Sequence, residues 1–298
     1  MGVYRRPTKP EHPRRWVAME PASTPTRINE ADDPRISEYR NVRDRDLRGA
    51  GSRPGLFIGE APLIVQAMLE FPGMTRSVFV SDSQVDRMMA MIKSSASPGT
   101  PLLVAGPDVM NEIAGFDLHR GVLALGNRPD PATRTLDRIM PPLDRPASIL
   151  LCDGINNIDN IGLLFRNAAA FGIDAVILSP DCHDPLYRKS LRVSIGHALR
   201  IPFHRSENWL ETLETLREHH RIELIGTAVT EDAVHLDSIE EPERVGLVMG
   251  SEFEGLGAVS IDACSHLARI PMTAGTDSLN VGVAAAVCLH KFSRADRV

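Results

Sequence analysis

The residues best placed to do chemistry lie between Val245 and Val287. This stretch reads VGLVMGSEFEGL, a short spacer, then ARIPMTAGTDSLNVGVAAAV. Glu252 and Glu254 follow directly on an apolar run, and Ser278 and Asn280 head an Ala- and Val-rich run with almost no other polar group. An amide or carboxylate in such surroundings costs free energy unless it is hydrogen-bonded, and Asn280 makes the strongest case. A carboxylate beside a carboxamide can orient a ligand, because the amide both donates and accepts hydrogen bonds.

Those residues need elements to hold them. Val245 to Met249 reads as a buried strand ending at Gly250, and Leu267 to Ile270 as a second strand stopped by Pro271. A polar loop, Thr273 to Asp277, leads into a helix for which Ser278 is the expected N-cap. Two strands thus end in polar loops side by side, which in open α/β sheets is where ligands bind.

MGSEFEGL and IPM-x5-SLNV resemble the second and third motifs of the SpoU/TrmH family of RNA ribose methyltransferases. That family's first motif, Asn-x-Gly-x3-Arg, is matched upstream by Asn160, Gly162 and Arg166 within NIDNIGLLFRNAAAFG. The resemblance spans about residues 146–294. Two positions depart from it: Gly275 comes one place late, and Gly282 stands where the family often has serine.

The resemblance implies S-adenosylmethionine as cofactor, a ribose 2′-hydroxyl of RNA as acceptor, and no metal. It places Arg166 at that hydroxyl, with Asn160, Glu252, Ser278 and Asn280 completing the catalytic set. Guanidinium normally stays protonated, so orienting the hydroxyl and an adjacent phosphate suits Arg166 better than acting as a literal base. Asn160 would hold Arg166 or the ribose, with a plain helix N-cap as the compatible alternative. Glu252 would orient Arg166 or Asn280. Gly250, Ile270 and Leu279, with Met249, Pro271 and Met272 nearby, hold the positions that contact the cofactor. Glycine at 250 would let the backbone approach the adenosine.

Composition narrows the alternatives. A chain of 298 residues is expected to form two domains, and no apolar run approaches a membrane span. Cys152, Cys182, Cys264 and Cys288 have neither CxxC nor zinc spacing, so reduced packing thiols and a cytoplasmic location are expected. No G-x-G-x-x-G follows a strand, which removes support for a nicotinamide-dependent oxidoreductase. The net charge of −6 is uneven: residues 1–145 hold 20 basic and 18 acidic side chains, residues 146–298 hold 13 and 21. An acidic total is therefore compatible with a local RNA-binding track.

Read in order, residues 1–26 form a Pro-rich basic arm, either a solvated tail or a phosphate contact. Residues 27–127 alternate strand and helix signals after a charged helical stretch from Asp33 to Arg48, as an α/β sandwich would. One of its helices starts at a Ser83 cap. GLFIGEAPLIVQAML and FDLHRGVLAL are similar to the opening and closing of a ribosomal-protein-like RNA-binding domain found in this family. Arg53 and Arg120 are its candidate RNA contacts, as are Arg188, Lys189 and Arg192 further on. Residues 128–146 read as a linker with a short helix near Thr135, and residues 147–298 as a parallel-sheet domain with an acidic loop at 230–243. Pattern alone would not give a knot; the resemblance implies a trefoil knot over about residues 223–294.

The resulting expectation is an S-adenosylmethionine-dependent RNA 2′-O-methyltransferase, with ribosomal RNA favoured over transfer RNA. A catalytically idle RNA-binding assembly factor on the same scaffold is the alternative. The helix from Ser278 to Ser293, apolar on nearly all sides and thin at Gly282 and Ala284–Ala286, needs another helix to cover it, and the resemblance implies that this is the same region of a second copy, a homodimer through the C-terminal domain.

Overall fold

The computed structural model describes residues 24–40, 55–114, 121–230, 232–252, 254–273 and 278–292. Two β-sheets organise them, the first drawn from residues 26–127 and the second from residues 147–269. The first contains β1 (Thr26–Arg27), β2 (Leu56–Glu60), β3 (Thr75–Ser81), β4 (Leu102–Ala105) and β5 (Val122–Asn127). Its order is β1-β4-β3-β5-β2, parallel from β1 to β3 and antiparallel across β3, β5 and β2. Helices α1 (Pro62–Leu69), α2 (Val85–Lys93) and α3 (Pro107–Ala114) connect the strands.

Three sequence expectations change here. The chain is already paired at Thr26, within the stretch read as an arm; residues 1–23 lie outside the described residues. Between Asp33 and Arg48 the described part is a 3-10 turn, Pro34–Tyr39, started by Asp33 accepting a hydrogen bond from the Arg35 amide. Tyr39 anchors that turn by donating its buried hydroxyl to the Ser77 carbonyl at 2.9 Å. Ser83 does not cap α2: it lies inside a 3-10 turn, Asp82–Gln84, that precedes the helix.

After α4 (Leu136–Ile139), whose N-cap is Thr135, comes the second sheet. Its strands are β6 (Ala147–Cys152), β7 (Ala175–Leu178), β8 (Phe203–Arg205), β9 (Glu223–Thr227), β10 (Val234–His235), β11 (Arg244–Met249) and β12 (His266–Arg269). They run β10-β12-β9-β11-β6-β7-β8, and every pairing is parallel. All six residues of β6 and of β11 are buried, as strands covered on both faces must be, which is why they read as unbroken apolar runs. Arg244 is the exception in β11. Its guanidinium donates to the His220, Pro142 and Pro141 carbonyls at 2.9, 2.9 and 3.1 Å, fastening the 141–145 segment to the base of the sheet. The acidic 230–243 segment contributes β10, a two-residue strand with no apolar pattern to announce it.

The covering helices are α5 (Ile158–Ala170), α6 (Arg188–Val193), α7 (His197–Arg200), α8 (Trp209–Glu218), α9 (Ala258–Ala263) and α10 (Val281–Lys291). Gly162 allows α5 to lie directly on α6, since a Cβ there would sit 2.6 Å from Val193 Cβ and 2.9 Å from the Ser190 carbonyl. Burial raises the thiols of Cys152 and Cys182 and pushes Cys264 and Cys288 up to about 12, in keeping with protonated packing thiols.

The two sheets meet where β2 approaches α6 and α1 approaches α7. Glu60, 8% exposed at the end of β2, accepts from Arg188 at 2.9 Å and lies 3.6 Å from Arg192. Charge-assisted bonds in so dry a place are worth about 1.5–3 kcal/mol. Glu60→Ala is therefore expected to lower unfolding stability by about 2 kcal/mol, read as a drop in the denaturant midpoint. An unchanged midpoint would mean that the pair does not join the two sheets.

Candidate active site

The site lies at the carboxyl ends of β9, β11 and β12, where the apolar runs stop. After β11 the chain turns back on itself: Ser251 and Gly255 exchange two backbone hydrogen bonds, each 3.0 Å. The returning strand lies against Gly250, whose Cβ, were there one, would sit 2.2 Å from the Gly255 carbonyl carbon and 2.4 Å from the Leu256 amide nitrogen. Glycine is thus required at 250 by the folding of its own loop, a cause the sequence reading did not include. Asp153, just past β6, accepts from the Gly257 amide at 2.8 Å and fixes the end of the same loop.

Asn280 brings the three motif segments together. It is the N-cap of α10, its Oδ1 accepting from the Gly282 amide at 2.9 Å. Its Nδ2 donates to Asn160 Oδ1 at 3.0 Å and to Glu252 Oε1 at 2.6 Å. Both amide hydrogens and the carbonyl are used, so the side chain has one orientation. The expected cap at Ser278 is corrected to Asn280, and Ser278 is an exposed residue two places before that cap. Asn160 is not an N-cap either. Asn157 fills that role on α5, accepting from the Asp159 and Asn160 amides, while Asn160 sits in the first turn, 4% exposed.

Arg166 is exposed on the same helix, lying nearly two turns beyond Asn160 and about 120° around from the face that Asn160 presents to α10. Among the described residues it makes no hydrogen bond to Asn160, Glu252 or Asn280. Glu252 is bonded to the amide of Asn280 instead.

A pocket of about 280 Å³ opens beside this cluster. Of the residues expected at a cofactor, Met249, Gly250, Ile270, Met272 and Leu279 line it, whereas Pro271 is exposed and is not part of its wall. The sequence reading missed the fourth side, Thr227 to Thr230 at the end of β9. The signal was there, since ELIGTAV ends an apolar strand in a polar turn like its two neighbours. Gly250→Ala must push the 251–255 loop away from the pocket. The expected result is about tenfold weaker cofactor binding by calorimetry, with a stability loss of about 1–3 kcal/mol. Unaltered affinity would show that the loop does not shape the pocket.

The expected cationic contacts are distributed differently. Arg188 pairs with Glu60, and Lys189 bonds Asp159 Oδ2 at 2.7 Å, tying α6 to the first turn of α5. Arg192 keeps its side chain 54% exposed. Arg53 and Arg120 lie outside the described residues, as does Gly275.

A model of the SpoU rRNA Methylase family matches residues 147–290, which contain all three motif segments. An uncharacterized tRNA/rRNA methyltransferase of Mycobacterium tuberculosis is 36% identical over 90% of this chain and 91% of its own. A 23S rRNA (guanosine-2′-O-)-methyltransferase, RlmB, of Salmonella typhimurium is 33% identical over 77% of this chain and 95% of its own. In fold, the chain is similar to the SpoU methyltransferase AviRb of Streptomyces viridochromogenes, solved in complex with AdoMet. The TM-score is 0.70 at 22% identity, over 87% of this chain and 97% of that one. With its motifs meeting at Asn280 and full-length relatives on this scale, the chain belongs to the SpoU family of RNA methyltransferases.

Proposed function

We propose that the protein transfers a methyl group from S-adenosylmethionine to a ribose 2′-hydroxyl of structured RNA. The observation that carries the reading is the Asn280 amide bridging Asn160 and Glu252 at the mouth of an apolar pocket. The residues there fit the cofactor: Leu256, Ile261 and Leu279 offer apolar walls to an adenosine, and the Glu252 and Glu254 carboxylates at the rim suit a cation. When bound, the cofactor supplies a methyl group activated by its sulfonium charge.

The remaining tasks fall to the chain. The 2′-hydroxyl is a weak nucleophile and must be positioned, and the proton it gives up as the new O–CH3 bond forms passes to solvent at the exposed rim. Arg166, exposed on α5, can hold that oxygen together with a neighbouring phosphate through its planar fork and stabilise the charge that develops. Glu252 and Asn160 fix Asn280, and Asn280 fixes the α10 terminus whose Leu279 lines the pocket. Ser278 adds a hydroxyl at the same rim.

Ribosomal RNA is the favoured substrate, with transfer RNA as the alternative. The 23S rRNA-directed relative supports this, because its similarity runs over 77% of the chain and so reaches beyond the second sheet. The first sheet and its helices, residues 26–127, act as the RNA-binding domain, joined by the 128–146 linker to the catalytic domain, residues 147–298. Exposed Arg192 extends the RNA track across the joint. The C-terminal segment is threaded as a trefoil knot, a reading supported by the insertion of β12 between β9 and the earlier β10.

Mapping ribose methylation in RNA from cells lacking the protein tests the proposal. One 2′-O-methyl group should vanish from ribosomal RNA. Purified protein should restore it with labelled cofactor, but not on a transcript carrying 2′-deoxyribose at that position. An unchanged methylation map would overturn the reading.

A further inference from the structure

The bridge made by Asn280 spans from the first turn of α10 to α5 and so depends on how closely the two helices approach. Two features on those helices set that distance. Asn167 donates its Nδ2 to the Gly282 carbonyl at 2.6 Å, using a lone pair that the helix bond leaves available. Gly282 itself permits the approach: a Cβ there would lie 3.0 Å from Leu163 Cβ, 3.1 Å from Leu163 Cδ1 and 3.1 Å from Asn280 Oδ1. Asn160, Leu163 and Asn167 are spaced i, i+3, i+7 and therefore share one face of α5. Along that face, Asn160 meets Asn280, Leu163 packs on Gly282, and Asn167 grips the carbonyl one turn further in.

We propose that Asn167, through its bond to the Gly282 carbonyl, is a positioning residue that sets α10 against α5 so that Asn280 bridges Asn160 and Glu252. It touches neither substrate nor cofactor in this scheme. Its effect passes through one backbone oxygen and one glycine. The same geometry accounts for the departure at 282: with asparagine at 167 reaching across, any side chain at 282 would hold the helices apart. The consequence for methyl transfer rests on the proposed function, but the geometric statement does not.

Asn167→Asp tests it in the full-length protein, because a carboxylate of the same shape cannot donate to a carbonyl. Methyl transfer under single-turnover conditions is expected to fall about tenfold, the scale of one buried hydrogen bond. In an Asn167→Asp/Asn280→Ala double variant, the loss should be no greater than that of Asn280→Ala alone, since both act through one amide. Additive losses, or an unchanged rate in Asn167→Asp, would overturn the inference.

The Asn280 side-chain amide signal, assigned by its disappearance in Asn280→Ala, gives a readout independent of activity. It should shift in Asn167→Asp and in Gly282→Ala, which opens the same contact from the other side. If the wild-type protein methylates no RNA, the proposed function fails while this signal still decides the inference. An amide signal that stays in place in both variants overturns it.

Discussion

Arg166→Ala is expected to reduce methyl transfer by at least about a hundredfold while leaving S-adenosylmethionine affinity within a few-fold. The two halves of that result have separate causes. Arg166 is exposed on α5 and is not part of the pocket wall, so truncating it removes no packing and no cofactor contact. What it removes is the group that can hold a 2′-oxygen as negative charge grows on it, and such interactions act mainly in the transition state. Arg166→Lys should fail almost as badly, because a compact ammonium cannot span hydroxyl and phosphate as a planar fork does. Transfer of labelled methyl at more than about a tenth of the wild-type rate in the alanine variant would remove Arg166 from the reaction.

The sequence announced this site better than it announced the details of its construction. The end of β11 at Gly250 was visible because it is a buried, largely apolar run that stops at glycine, and the end of β12 near Ile270 because Pro271 follows, although β12 itself is the mixed segment His266–Arg269. The N-cap of α10 was not visible, since Ser278 and Asn280 are both good capping residues two places apart. The choice between them is tertiary: only Asn280 also has Asn160 and Glu252 within reach. The same applies to the start of α5, where Asn157 and Asn160 compete and the buried one is taken by the bridge.

The role of Gly250 could not be read locally, because its constraint comes from a residue five places on that the loop folds back onto it. At the joint, Arg188 and Lys189 look like RNA contacts in sequence, yet each faces a carboxylate from another element, Glu60 and Asp159. β10 was invisible for a plainer reason: a strand of two exposed residues has no periodicity to detect.

The second large effect is expected on mass. Read as a sequence, α10 is apolar all round; in the structure one side is covered and one is not. Ala285, Cys288 and Leu289 are buried within the subunit, while Val283 and Val287, one turn apart, are 51% and 41% exposed. With Ala286 half-buried between them, they form an apolar stripe on the helix that carries Asn280 at its start. We propose that a second copy of the chain covers this stripe in an isologous two-fold interface, as the family resemblance implied. Ala285 is the wrong place to test it, since arginine there would enter the core. Val287→Arg is the better variant. Its side chain starts in solvent, so the monomer should fold, while a two-fold axis would bring two like charges together in a desolvated contact. Wild type should scatter light as a dimer at micromolar concentration, and Val287→Arg as a monomer. Methyl transfer should fall with the dimer, because the interface supports the helix that positions Asn280. A wild-type monomer at that concentration would sink the proposal, as would a Val287→Arg protein with unchanged mass and activity.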